Sequence, residues 1–503
     1  MPRVPGRARR ADASPRRGLA AVRAAATLAP LRRLLPLLLV FVLASTAAAA
    51  TVRGTKQPDL LQTAFTSSDT VSCGRGVDIV SADAADKVAA DCETVSRRLS
   101  VDPYANRDSQ HETAVEPDDF AYGDMVVAAF QVGRRESGAA ANIGTAVSTD
   151  GGRMWRRSLL PAVTVNAGGT QTAASDPAVA YDAVHATWLV STLTIEPNSS
   201  HVYVARSPDG LHWSAPVDVA DGPVLDKEWV ACDNNVSSPY HGRCYAEYTD
   251  DDRNSTISQS SDDGGVTWSA PVRIGAFSVG TQPAIRPDGS LTVVSAGGFA
   301  NDEALMGTIV AFRSVDGGAT WQRSNVADLR AASNEPMRAI SLPSVDADSN
   351  GTIYAAWADC RFRPTCNAND IVLSTSTDGV VWTSPARVTT GPSSFIPGLA
   401  ADPAAPGHLA VVYALFDAKG NLGIAVTQSA DGRKWAPRQR LNALPIKMTW
   451  LPRAGGRMVG DYFSVAFAGG RVVPVYALAA APLKGRFREG IFAASLKPLG
   501  QRR

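Results

Sequence analysis

Ser148-Thr149-Asp150-Gly151-Gly152-Arg153-Met154-Trp155 is a short polar turn closed by a tryptophan, and it does not stand alone. The same S-x-D-G-(G)-x-x-W pattern returns at Ser207 to Trp213, Ser261 to Trp268, Ser314 to Trp321, Ser376 to Trp382 and Ser429 to Trp435. Its aspartates, Asp150, Asp209, Asp263, Asp316, Asp378 and Asp431, are 59, 54, 53, 62 and 53 residues apart. A period of that length marks a repeat array rather than a string of unrelated domains. Each residue type has a mechanical role. Ser and Asp side chains bond nearby backbone N–H groups and hold a tight turn. Gly supplies a positive φ without a Cβ clash. Trp opens the next strand and can bury its ring against the neighbouring repeat. The motif therefore reads as scaffold.

Around each box lie short β-branched and aromatic runs separated by Gly, Asp, Asn and Pro, as strands require. In the fifth unit, Leu342 to Asp346 and Thr352 to Trp357 form a hairpin, Asp370 to Ser374 leads into the box, and Trp382 to Val388 leaves it. Asp346-x-Asp348-x-Asn350-Gly351 resembles the opening of a calcium loop, but Trp357 stands where its last ligand belongs, so a hairpin turn is expected. Four antiparallel strands per unit make one blade of a β-propeller. First strands begin near Glu112, Asp176, Lys227, Gln282, Pro343, Pro397 and Asp461. The seventh unit has no box and no fourth strand, and Thr94 to Val101 is the segment expected to supply one. The chain thus reads as an all-β propeller with seven blades favoured over six. Only Ala82 to Leu99 hints at a helical period.

The chain has 503 residues and a formal charge of +1. No bulk charge or aromatic-interleaved basic stripe draws it to nucleic acid. An Arg-rich start, the apolar run Leu34 to Ala44 and small residues through Ala50 form the pattern of a secretory signal. The apolar run is short of the roughly 20 residues of a spanning helix, though an uncleaved membrane anchor stays open. Residues 1–50 are read as signal or anchor, 51–105 as an N-terminal extension and 106–498 as the propeller. The chain is expected outside the cytoplasm, secreted or on a bacterial cell surface. Cysteines fall in three neighbouring pairs, Cys73/Cys92, Cys232/Cys244 and Cys360/Cys366, which in an exported protein read as disulfides. No C-x-x-C pair, phosphate loop, G-x-S-x-G elbow or H-E-x-x-H helix is present, so no metal and no cofactor is expected.

The repeats, with Asn106 to Pro117 (NRDSQHETAVEP), Ser175 to Asp182 (SDPAVAYD), Asp226 to Asp233 (DKEWVACD), Ala356 to Phe362 (AWADCRF) and Gly456 to Phe467 (GRMVGDYFSVAF), resemble the bacterial sialidase superfamily of BNR or Asp-box repeat proteins. The resemblance implies an exo-sialidase-type glycoside hydrolase acting on extracellular glycans. In that family three arginines clamp the substrate carboxylate, a Tyr paired with a Glu is the nucleophile, and an Asp is the acid/base. Carried over by residue type and unit order, Arg107, Arg338 and Arg457 would form the clamp, Tyr462 the nucleophile, Glu228 its partner and Asp108 the acid/base. Phe395 to Gly398 (FIPG) lacks the arginine of the family's F/Y-R-I-P motif. A second reading stands beside the first: a non-catalytic propeller that binds a glycan, peptide or protein.

Overall fold

The computed structural model describes residues 49–66, 68–299 and 306–500. The signal-or-anchor reading therefore lies, but for its last two residues, outside the described ones. Among the described residues the only helical elements are two short turns, Val165–Ala167 and Met448–Trp450; everything else regular is strand.

Seven strands lie innermost: β1 (Ala114–Tyr122), β2 (Ala173–Asp182), β3 (Leu225–Cys232), β4 (Ser278–Ile285), β5 (Ser344–Ala347), β6 (Ser394–Ala401) and β7 (Ser464–Ala468). Each begins an antiparallel meander. β3, for example, is followed by Cys244–Asp250, Ser255–Ser261 and Val272–Ala276. The first two meanders join into one larger sheet through a single pairing, Ala174 with Ala140. Each innermost strand packs on the next, and β7 returns to β1. The middle strands, such as Ala140–Ser148 and Cys244–Asp250, are buried at every position. Both of their faces meet a neighbouring sheet, so the alternation of a half-exposed strand is absent.

The boxes explain how the sheets are spaced. In the first, Ser148 Oγ bonds the Asp150 carboxylate at 2.8 Å and accepts from Gly152 N at 2.9 Å, while Asp150 Oδ1 accepts from Arg153 N and Met154 N. The glycine is required twice over. Gly152 has φ 77°, and a Cβ there would stand 2.7 Å from Val473, in the last meander. Gly210 presses in the same way on Val127 of the first unit, and Gly265 on Leu189 of the second. Each box rests on the sheet before it, and the first rests on the last.

The last meander, β7, Arg471–Ala479 and Glu489–Ala494, takes its fourth strand from the N-terminal side. Thr94–Arg98 pairs antiparallel with it, Arg98 opposite Phe492 and Ser96 opposite Ala494. Residues 51–98 are built of short strands, and 82–99 form no helix. They wind as a small two-sided coil of parallel strands: Thr51–Arg53, Thr70–Ser72 and Lys87–Val88 on one side, Leu60–Gln62, Ile79–Ala82 and Thr94–Arg98 on the other. Acidic side chains ladder its coils. Asp78 Oδ1 accepts from Asp59 N at 2.7 Å, Glu93 from Asp78 N at 2.9 Å, and Asp86 from Asp69 N at 2.8 Å. Bonds of this kind override a weak helical pattern because each satisfies an otherwise buried N–H.

All three expected disulfides form: Cys73–Cys92 in the coil, Cys232–Cys244 across the first pair of the third unit, and Cys360–Cys366 closing a loop of the fifth. The one clustered group of metal-ligand type among the described residues is Cys73, Asp91 and Cys92, and its two sulfurs are bonded to each other. Asp348 caps its hairpin, accepting from Asn350 N, Thr352 N and the Tyr354 hydroxyl, so the calcium-like sequence is a turn.

Candidate functional site

Five of the innermost strands carry a bulge at the same place. The register slips between Val115 and Asp118, Ser175 and Ala178, Asp226 and Trp229, Val279 and Gln282, and Phe395 and Gly398. Inside each slip one residue is left-handed: Glu116 (φ 52°), Asp176 (46°), Lys227 (50°), Gly280 (72°) and Ile396 (53°). Only one of the five is glycine. Non-glycine residues in this region cost of order 1 kcal/mol or more, so the surrounding packing must enforce them. Bulges re-aim side chains. Here they turn Glu116, Asp176 and Lys227 toward one another.

Asp461, just before β7, and Arg338, before β5, complete the group. Lys227 Nζ lies 2.9 Å from Asp461 and 3.3 Å from Asp176, and Arg338 lies 2.6 Å from Asp461. Glu116 takes the amide of Gln131 and hydrogen-bonds Asp176. All but Arg338 are almost wholly buried. Burial alone would neutralise such carboxyls. It pushes Glu116 well up, and the charge on Asp176 adds to the push. For Asp176, burial pushes the same way, but the Lys227 ammonium and the bond from Glu116 outweigh it and hold the group below its usual range. Asp461 is likewise held low, by Arg338 and then Lys227. Lys227 in turn is raised: the carboxylates Asp176 and Asp461 outweigh its own desolvation. The result is an ionic knot that ties units one, two, three, five and seven together at one end of the axis.

Residues 123–355 match the family model described as "BNR repeat-like domain". Just under half of the chain is thus similar to BNR repeats. The match covers the BNR units from the first hairpin to the start of the fifth. No curated protein matches the sequence. Among solved structures, the Hadza microbial sialidase Hz136 is similar at 19% identity and TM-score 0.44; the alignment takes in 60% of this chain and 64%, less than two thirds, of the sialidase. The α-L-arabinofuranosidase Arb93A of Fusarium graminearum is similar at 16% identity and TM-score 0.45, over 67% of this chain and 97% of that one. The phage phi92 endosialidase is similar at 9% identity and TM-score 0.46, over 90% and 76%. At these levels no side chain's role passes from those proteins to this one.

The fold brings together three of the six residues carried over from the resemblance. Tyr462 and Glu228 line one cavity with Asp176, Lys227, Trp229 and Gln282, and Arg338 belongs to the adjoining knot. That cavity holds about 10 Å³, room for one water. The Tyr462 hydroxyl donates to the Pro177 carbonyl at 3.1 Å, and its ring meets Trp229 edge-on at 5.1 Å. Burial pushes its phenol well up, and Asp176 and Glu116 push further. Glu228 is 1% exposed, and neither carboxylate oxygen has a hydrogen-bond partner. Burial raises it well above its usual range, and the Asp176 charge adds to the push. The other three stand apart. Asp108 sits in a surface turn paired with Arg135 at 2.8 Å, and Arg107 beside it is exposed. Arg457 donates to the Leu451 carbonyl at 2.7 Å; its backbone, not its guanidinium, meets Arg338. Asp108 and Arg457 each satisfy a local loop, which residue type and unit order do not reveal. Glu116 was missed, although Glu116-Pro117 in unit one corresponds to Asp176-Pro177 in unit two. Aligning the bulges rather than the strand starts exposes it.

Beyond Trp229 and Gln282 the axis opens into a channel of about 310 Å³ lined by all seven innermost strands. Three buried or half-buried acids face it, and no cation is paired with any of them. Asp118 accepts from Val179 N and is pushed up by burial to about 7. Asp119 is raised well above its usual range by burial, against the Ser464 hydroxyl and with the Asp118 charge adding to the push. Asp346 accepts from Ala401 N and is raised to about 6 by burial.

Proposed function

We propose that this chain is an exported, seven-bladed BNR propeller that binds an extracellular glycan, peptide or protein through its axial channel and does not hydrolyse it. The observation that carries the reading is the confinement of Tyr462. A sugar ring does not fit a cavity sized for one water, and the tyrosine hydroxyl is already engaged by a backbone carbonyl. The dispersal of Arg107, Arg338 and Arg457 supports the same reading, because a carboxylate clamp needs its guanidinium forks to converge on one point. The return of β7 to β1 and the strand lent by Thr94–Arg98 support seven blades. The three disulfides are of the kind found in exported proteins.

A second reading is a sialidase-type glycoside hydrolase. It is favoured by one observation, the meeting of Tyr462, Glu228 and Asp176 around a single cavity with their titrations pushed apart. A fluorogenic sialoside assay on the exported chain separates the two. The binding reading expects no turnover above that of the Tyr462→Phe variant. Release of the fluorophore that disappears in Tyr462→Phe would establish the hydrolase instead.

A further inference from the structure

Three arginines do converge in this molecule, at a place remote from the axis. Arg98 ends the strand lent to the last sheet, Arg488 precedes the strand it pairs with, and Arg157 lies on the fourth strand of the first unit. They surround the turn of the N-terminal coil that carries Phe65. The Arg98 guanidinium lies 4.4 Å from the centre of the Phe65 ring and that of Arg488 lies 5.6 Å from it. Asp83 stands 3.8 Å from Arg98. Arg157 is within electrostatic reach of both Arg98 and Asp83.

We propose that this seam between the coil, the last sheet and the first unit is an oxyanion-binding site, formed by Arg98, Arg157 and Arg488, for the carboxylate or sulfate groups of an acidic polysaccharide.

Four observations support it. First, the cations are under-compensated. Glu112 takes one fork of Arg98 at 2.8 Å, and Asp83 is the other acid in range. Asp83 is itself partly engaged, accepting from Thr66 N at 3.0 Å, and burial raises it toward its neutral form. Second, donors are left over: the Nε groups of Arg98 and Arg488 are buried and have no acceptor. The oxygens of an anion would complete both. Third, the backbone is shaped for the cluster. Phe65 is left-handed at φ 67°, which sets its ring under two guanidinium groups. Gly490 leaves room for Arg98, because a Cβ there would stand 2.9 Å from its Nε. Fourth, the positive surface continues outward. Arg157 is exposed, and the adjoining hairpin presents Lys484 and Arg486 to solvent. A row of cations suits a repeating anion better than a single small one.

The site is independent of whatever the axial channel binds. Titration calorimetry on the full chain tests it with inorganic sulfate, oligogalacturonate, a sulfated dextran oligomer and neutral maltohexaose. Saturable binding of the anions, weakened by salt, is expected. The arms distinguish the source: tighter oligogalacturonate marks a carboxylated polymer, tighter sulfated dextran a sulfated one. Arg157→Ala and Arg488→Ala should each weaken binding about tenfold, the scale of a charge-assisted hydrogen bond. Arg488→Lys should weaken it as well, since it keeps the charge and loses the fork. Both residues lie outside the sheet interiors, so the variants keep their thermal midpoints. Arg323→Ala, on an exposed strand of the fourth unit, should bind like the parent. Absence of anion binding overturns the proposal. So does equal affinity in the Arg157 and Arg488 variants, or equal binding of maltohexaose.

Discussion

The two ends of the axis bury carboxyl groups on the same strands and treat them in opposite ways. On β1, Glu116 and Asp118 are two residues apart, and both are buried. Glu116 enters a set in which Lys227 and Arg338 face Asp176 and Asp461, so two carboxylates nearby stay ionised. Asp118 and Asp119 meet the channel, where help comes from the Val179 N–H and the Ser464 hydroxyl but from no cation, and burial lifts both. One end is held together by opposed charges. At the other, burial raises the acids toward their protonated forms. A buried carboxyl is therefore not one kind of object: its charge state follows from whether the fold delivers a cation within hydrogen-bond reach. The bulges decide that delivery, since a left-handed residue at Lys227 is what swings its side chain into the group.

The sharpest way to break this comparison is to remove the cation. Lys227→Met leaves Asp176 and Asp461 buried without their shared partner. Breaking a buried ion pair on one side costs roughly 3–5 kcal/mol. A fall in urea midpoint of that order is expected, and Lys227→Met combined with Asp461→Asn should recover part of it. A single variant that unfolds within about 1 kcal/mol of the parent would mean that the knot does not bear the load assigned to it.

The sheets were legible in the sequence because the box is a local device: serine, aspartate and glycine make their turn with residues three or four positions away. The innermost strands accordingly begin within a few residues of the expected positions, at Ala173 for Asp176 and at Leu225 for Lys227. Thr94–Arg98 was legible as a lent strand because the last unit lacked one. The coil was not. Its acidic rungs, Asp59, Asp69, Asp78, Asp86 and Glu93, are 10, 9, 8 and 7 residues apart, a shrinking interval that no fixed period detects. The site was half legible. Tyr462 and Glu228 meet because each follows a residue of the knot, Asp461 and Lys227, and Arg338 joins the knot through Asp461. Arg107, Asp108 and Arg457 belong to loops, and where a loop side chain points is decided by partners distant in sequence.

The channel end offers a gentler test. Asp118 has its folded pKa raised to about 7, above the unfolded value near 3.8. A raised acid contributes its full stability below the unfolded value and loses it as pH climbs through the folded one. The parent should therefore lose stability between about pH 4 and pH 7 through this group. Asp118→Asn keeps an oxygen for Val179 N and cannot ionise. It should match the parent at pH 4 and exceed it at pH 8 by on the order of 4 kcal/mol, as the shift spans about three pKa units and each is worth about 1.4 kcal/mol. Thermal melts at the two pH values measure it. A constant difference between the proteins would show that Asp118 is not held neutral by burial.

The smallest effect sharpens the contrast within the knot itself. Arg338 and Lys227 share Asp461, but the Arg338 side chain is 29% exposed and that of Lys227 only 7%. Solvent screens the first pair and not the second. Arg338→Lys preserves the charge and gives up the planar fork, so it should cost about 0.5–1 kcal/mol in urea unfolding. Adding 0.5 M salt should shrink that cost further while leaving the cost of Lys227→Met almost unchanged, because screening acts on the pair that water reaches. Equal salt sensitivity in the two variants would place both cations in the same environment. Arg338 and Lys227 would then be interchangeable supports for Asp461, rather than an outer brace and a buried tie.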